Sequence, residues 1–184
     1  MAGSLRAIAK MIDHSLLHPT MTDHELMAGC AVARRHDVAS VCIKPYAVAL
    51  AREQLAGSEV LVGTVIGFPH GNSRVDVKLF ETERALDDGA VEIDAVLNIG
   101  KVLGGDWAYV SDEIKALNDL VVRRGAILKV IFENDYLPDD ATKVKLCELC
   151  SQHAVSFVKT STGYGFVRQP NGMYAYAGAT DHDL

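Results

Sequence analysis

Three charged residues stand inside otherwise apolar runs of the 184-residue sequence. Asp94 lies within Val-Glu-Ile-Asp-Ala-Val-Leu, Lys129 within Ile-Leu-Lys-Val-Ile-Phe-Glu, and Lys159 within Ser-Phe-Val-Lys-Thr-Ser-Thr. An unpaired charge is expensive to bury, so each must find a partner or change protonation. One such residue reads most simply as a strand end in water. Three in successive strands, with both signs present, point to a cluster. A lysine crowded by a second ammonium and desolvated is expected to have a lowered pKa, leaving a free amine that attacks a carbonyl to form a Schiff base. A neighbouring carboxylate can move protons through a water. These are the parts of metal-free aldol chemistry. The stretch Lys159-Thr-Ser-Thr-Gly163 adds a small hydroxylic turn after the third strand. Backbone N–H groups in such a turn can cradle a phosphate without an arginine, although the turn alone is a common one.

Other reactive residues carry less. Cys147-x-x-Cys150 falls within a helical stretch and has no second ligand pair, so core packing is expected for both. His14, His18 and His24 lack a recurring ligand spacing. His70 follows Pro69 at a strand end and is expected to be structural, and Lys44 is expected to be a solvated strand terminus. No metal and no cofactor is expected.

The elements that must position the charges alternate. Apolar runs of the buried parallel type are Val38–Ile43, Val60–Gly67, Val91–Ile99, Ala126–Phe132 and Ser156–Thr160, with a shorter candidate at Met11–Leu16. Helical spacing fills the intervals: Thr22–Arg35, opened by a Thr22/Glu25 capping box; Pro45–Leu55; Ser73–Asp88, with an apolar face at Val77, Phe80, Ala85 and Leu86; Trp107–Arg124; and Pro138–His153. Repeated βα units of this length predict a parallel sheet in one domain over residues 1–184. Neither G-x-G-x-x-G nor a GxxxxGK[ST] loop is present, which favours an α/β barrel over a doubly wound sheet. Strand centres are about 29 residues apart, so eight units need roughly 230 residues and the sequence holds about six. Two exposed sheet edges would then favour aggregation or dimer formation.

The composition excludes several classes. Lys plus Arg number 18 and Asp plus Glu 24, for a formal net charge of −6, and no basic run is present. Nucleic acid and anionic membranes are therefore poor partners. The apolar run Val60–Phe68 is too short to span a bilayer, and the charges Arg6, Lys10 and Asp13 break up the first stretch as a signal peptide. A cytoplasmic location with reduced thiols is expected.

Six segments resemble the deoxyribose-phosphate aldolase family: Ile12-Asp-His-Ser-Leu-Leu17, Val41-Cys-Ile-Lys-Pro45, Gly67-Phe-Pro-His-Gly71, Glu92-Ile-Asp-Ala-Val96, Leu128-Lys-Val-Ile131 and Phe157-Val-Lys-Thr-Ser-Thr-Gly163. They occur in the family's order. The resemblance implies a (β/α)8 TIM barrel and cleavage of 2-deoxy-D-ribose 5-phosphate to D-glyceraldehyde 3-phosphate and acetaldehyde. By position it implies Lys159 as the Schiff-base lysine, Asp94 as its proton-transfer partner and Lys129 as the interior lysine beside it. Asp13 and Cys42 would line the substrate end, and Thr160 and Gly163 would meet the phosphorylated sugar. The family also has a lysine and paired glycines on a seventh strand, which this sequence lacks, so little activity is expected of a chain ending at Leu184. A homodimer is among the expected partners. A related Schiff-base lyase and an inactive binding protein are the alternatives. Tyr164–Ala177, longer than the family's usual loop, reads as a lid, an interface or a surface hairpin turning at Gln169-Pro-Asn-Gly172.

Overall fold

The computed structural model describes residues 2–183. Six strands, β1 (Asp13–Leu16), β2 (Ser40–Ile43), β3 (Leu61–Ile66), β4 (Glu92–Val96), β5 (Ile127–Ile131) and β6 (Phe157–Lys159), form one sheet in sequential order with every neighbouring pair parallel. Helix α1 (Ala2–Ala9) precedes them. The crossovers carry α2 (Asp23–His36), α3 (Val48–Gln54), α4 (Val75–Asp88), α5 (Ile99–Leu103), α6 (Trp107–Arg123) and α7 (Asp140–Gln152). The sheet curls as a barrel wall. Lys129 on β5 reaches Asp13 on β1 at 3.1 Å, whereas four flat inter-strand spacings would hold those backbones roughly 19 Å apart. This is the α/β barrel architecture, with six parallel strands joined by five helical crossovers; β6 is followed by a hairpin rather than by an α-helix among the described residues. Among the described residues no helix is long and apolar enough to cross a membrane.

The capping box forms as the sequence predicts: Glu25 N–H donates to Thr22 Oγ1, and Thr22 N–H donates to Glu25 Oε2 at 2.7 Å. Two predicted helix starts move inward, from Ser73 to Val75 and from Pro138 to Asp140, where the Asp139 carboxylate accepts from Thr142 N–H. Residues 164–177 contain a short antiparallel hairpin, β7 (Val167–Arg168) with β8 (Tyr174–Ala175), turning at Gln169–Gly172.

Three expectations are corrected. The buried stripe of α4 is Lys78, Thr82, Ala85 and Leu86, while Val77 and Phe80 face solvent. Lys78 can lie inside because its ammonium donates to Glu113 Oε1 on α6 at 2.6 Å and to the Val96 carbonyl at 2.7 Å. The other Glu113 oxygen accepts from Asn98 N–H at 3.0 Å, so the pair fastens the chain just beyond β4 to both helices. Cys150 packs in the core, but Cys147, one turn earlier on α7, is exposed. Lys44 is not simply solvated. Its Nζ donates to the carbonyls of Met21 at 2.7 Å and Pro19 at 3.3 Å, pinning the β1–α2 connection to the end of β2.

Both members of the Lys78–Glu113 pair are fully buried. Lys78→Met leaves an uncompensated carboxylate and is expected to cost about 3–5 kcal/mol in urea unfolding. The double variant Lys78→Met/Glu113→Leu should recover most of that loss. Equal losses in the single and double variants would mean that packing, not charge pairing, dominates here.

Candidate active site

The period of two along a strand puts Glu92 and Asp94 on the same face of β4. The parallel register sets Asp94 beside Lys129 of β5, and Lys159 beside Ile131. On the concave side of the curled sheet, these residues converge with Asp13 of β1 and Cys42 of β2. Lys159 Nζ donates to Asp94 Oδ2 at 2.7 Å and stands 3.7 Å from Asp13 Oδ2. Lys129 Nζ donates to Glu92 Oε2 at 2.6 Å and to Asp13 Oδ2 at 3.1 Å, and lies 3.5 Å from Asp94 Oδ1. Ser40 Oγ–H donates to the other Asp13 oxygen at 3.1 Å, and Cys42 Sγ–H to Asp94 Oδ2 at 3.8 Å. Gly63 makes room for this on β3, since a Cβ there would stand 3.1 Å from Glu92 Cβ.

The side chain of Asp94 is fully buried, that of Lys129 is 12% exposed and that of Lys159 is 33% exposed. The Lys159 side chain is thus the most exposed member of the network, ahead of Asp13. Asp94 Oδ1 is buried without a hydrogen-bond partner, although its other oxygen takes the lysine.

The electrostatics correct the expected direction of the lysine shift. Burial alone would lower the pKa of Lys159, but the carboxylates, Asp94 first and then Asp13, outweigh it and the pKa is raised. Lys129 is likewise pushed up: burial opposes its charge, and Asp94, Glu92 and Asp13 more than offset that. The sequence places a second ammonium beside Lys159 but does not show that three carboxylates surround the two lysines. Burial raises Asp94 above the usual carboxylate range against the pull of both lysines. Cys42 is raised well above an ordinary thiol, by burial first and then by Asp94, so it acts as a protonated donor.

Donor atoms of Asp13, Cys42 and Asp94 lie within 4.8 Å of one another, close enough to hold a cation. The two lysine ammonium groups already supply positive charge to both carboxylates. His14, His18 and His24 do not join this group.

Thr160 and Gly163 follow on the same rim. The Thr160 carbonyl accepts from Asn134 N–H at 2.8 Å, and Gly163 takes φ 84°, a left-handed turn with open space where a side chain would be. Lys159 and Thr160 also border an open groove against α7, beside Phe132, Val144 and Val158.

Two residues escaped the sequence reading. Glu92 sits two positions from Asp94 with the same alternation, and that spacing was its available signal. Glu133, just past β5, is buried with its carboxylate on Thr162.

The profile of the DeoC/LacD family aldolases matches residues 7–182. The chain belongs to that family. A deoxyribose-phosphate aldolase of Rhodopirellula baltica is 49% identical over 158 residues, covering 86% of this chain and 65% of its own length. That of Caldanaerobacter subterraneus subsp. tengcongensis is 46% identical over 163 residues, covering 88% and 70%. Among solved structures, the aldolase QR15 superposes with a TM-score of 0.80 at 32% identity, over 85% of this chain and 69% of its own. The tetrameric deoxyribose phosphate aldolase of Aeropyrum pernix gives 0.77 at 31%, over 88% and 67%. This member of the aldolase family therefore spans about two thirds of the length of the curated relatives it matches.

Lys129→Met would leave Asp13, Glu92 and Asp94 facing Lys159 alone. The amine should then be held more firmly as ammonium, and its borohydride trapping by acetaldehyde at neutral pH should slow by on the order of tenfold, one pKa unit. A rate equal to that of the unsubstituted protein would show that Lys129 does not act on Lys159 through charge.

Proposed function

We propose that the protein is a class I aldolase that cleaves 2-deoxy-D-ribose 5-phosphate to D-glyceraldehyde 3-phosphate and acetaldehyde through a Schiff base on Lys159. The observation that carries this is the partly exposed Lys159 side chain, its amine hydrogen-bonded at 2.7 Å to a buried carboxylate at the carboxyl ends of parallel strands, where barrel enzymes place their chemistry. The names of the relatives from Rhodopirellula and Caldanaerobacter support the substrate.

Lys159 first loses its proton; Asp94, bonded to it, is the nearest acceptor. The free amine adds to the C1 aldehyde of the open-chain sugar, and loss of water gives the iminium. A base removes the C3 hydroxyl proton, the C2–C3 bond breaks, and its electron pair moves to C2 to form the enamine. D-glyceraldehyde 3-phosphate leaves. Protonation at C2 and hydrolysis then release acetaldehyde and restore the amine. Asp94 Oδ1 is the acceptor suited to the C3 proton, directly or through a water. Thr160 and Gly163 face the phosphate end, Asp13 and Cys42 the sugar, and Lys129 keeps the carboxylates ionised.

Intact-mass measurement after borohydride reduction with acetaldehyde should give one adduct, absent in Lys159→Ala. An adduct that persists in that variant would sink the assignment of the nucleophile. Because the Lys159 pKa is raised, the free-amine fraction at neutral pH is small and grows as pH rises. Trapping should accelerate roughly tenfold per pH unit below that pKa. Asp94→Asn removes the strongest influence holding Lys159 protonated. It should speed trapping at neutral pH while lowering turnover by ~10²–10⁴. Slower trapping in Asp94→Asn would instead mean that Asp94 matters more as acceptor of the Lys159 proton than as the charge that holds the ammonium.

A further inference from the structure

Glu133 follows β5 and lies outside the lysine–carboxylate network. On either side of it the backbone stays tied to the end of β6: Phe132 N–H donates to the Lys159 carbonyl at 2.9 Å and Asn134 N–H to the Thr160 carbonyl at 2.8 Å. Between those two bonds Glu133 adopts φ 57°, ψ 66°, a left-handed conformation that a residue with a side chain keeps only where its surroundings enforce it.

What enforces it is the carboxylate. It is 1% exposed and accepts from Thr162 N–H, at 3.2 and 3.3 Å to its two oxygens, and from the Thr162 hydroxyl. That hydroxyl in turn accepts from Tyr164 N–H at 2.9 Å. The chain then passes flat over Glu133 at Gly165, where a Cβ would stand 2.9 Å from Glu133 Oε1. A buried carboxyl group thus sits at the centre of the Thr160–Gly165 turn. Among the described residues, Ser161 N–H and Gly163 N–H make no backbone hydrogen bond, and the space over Gly163 is open.

We propose that Glu133 is a positioning residue for phosphate recognition. By occupying both donors of Thr162, it shapes the turn so that the Ser161 and Gly163 N–H groups remain for the phosphate of the substrate. Glu133 would not touch the phosphate. Its carboxyl group is instead engaged by the two Thr162 donors. The inference rests on the phosphate-binding turn proposed above.

The test compares half-saturating concentrations for borohydride trapping of 2-deoxyribose 5-phosphate and of unphosphorylated 2-deoxyribose, each read by intact mass. The ratio does not depend on the folded fraction, so partial unfolding of a variant does not mimic the effect. In Glu133→Ala the preference for the phosphorylated sugar should fall about tenfold, the size of one lost charge-assisted hydrogen bond, while trapping of 2-deoxyribose is unchanged. Glu133→Gln, whose amide oxygen still accepts from Thr162 N–H, should restore most of the preference. An unchanged preference in Glu133→Ala, or an equal loss for both sugars, would overturn the proposal. If the unsubstituted protein shows no preference for the phosphorylated sugar, the phosphate-binding turn itself is wrong and this inference falls with it. That outcome is visible before any substitution is made.

Discussion

The Asp94 carboxylate is fully buried, and a buried carboxylate needs positive charge or a proton. Asp94 is held from β6 by Lys159 at 2.7 Å and from β5 by Lys129 at 3.5 Å. Each lysine is in turn a buried or half-buried cation that needs anions, and Asp13 on β1 and Glu92 on β4 supply them. Three carboxylates and two ammonium groups from four strands therefore satisfy one another only if the sheet curls. Gly63, the pinned chain beyond β4 and the Lys44 clamp all keep that curled wall in shape.

This environment is suited to a cation rather than to a neutral amine. In the proposed reaction, the carboxylates that raise the pKa of Lys159 would also stabilise the iminium, which carries the same positive charge at nearly the same place. The neutral amine is then a brief, unfavoured state between two favoured ones. A lowered lysine pKa would ease the first attack, whereas this arrangement favours the covalent intermediate that follows.

Much of this was legible in the sequence. Isolated charges in β-branched runs pointed to Asp94, Lys129 and Lys159, and the alternation of runs and helical stretches gave the parallel sheet. Asp13, Cys42, Thr160 and Gly163 came from the resemblance, and the fold gathers Asp13 and Cys42 within reach of Lys159, with Thr160 and Gly163 on the rim. Other features were hidden by their neighbours. Lys78 and Glu113 each sit among other charges on amphipathic helices, where one buried charge looks like any solvated one. Glu133 depends on a left-handed backbone that no local pattern announces. The direction of the Lys159 shift depends on distances to residues 65 and 146 positions away in sequence, which only the folded sheet sets.

The four strands that contribute charges have one further consequence. A strand that slips by one residue turns its side chains to the opposite face. Here such a slip would send Glu92 and Asp94, or Lys129, or Lys159, toward the apolar packing beneath the helices and leave its partners unmatched on the other side. Wrong pairings of otherwise interchangeable apolar strands would thus carry a penalty of several kcal/mol. The residues placed for chemistry would also proofread strand alignment as the chain folds.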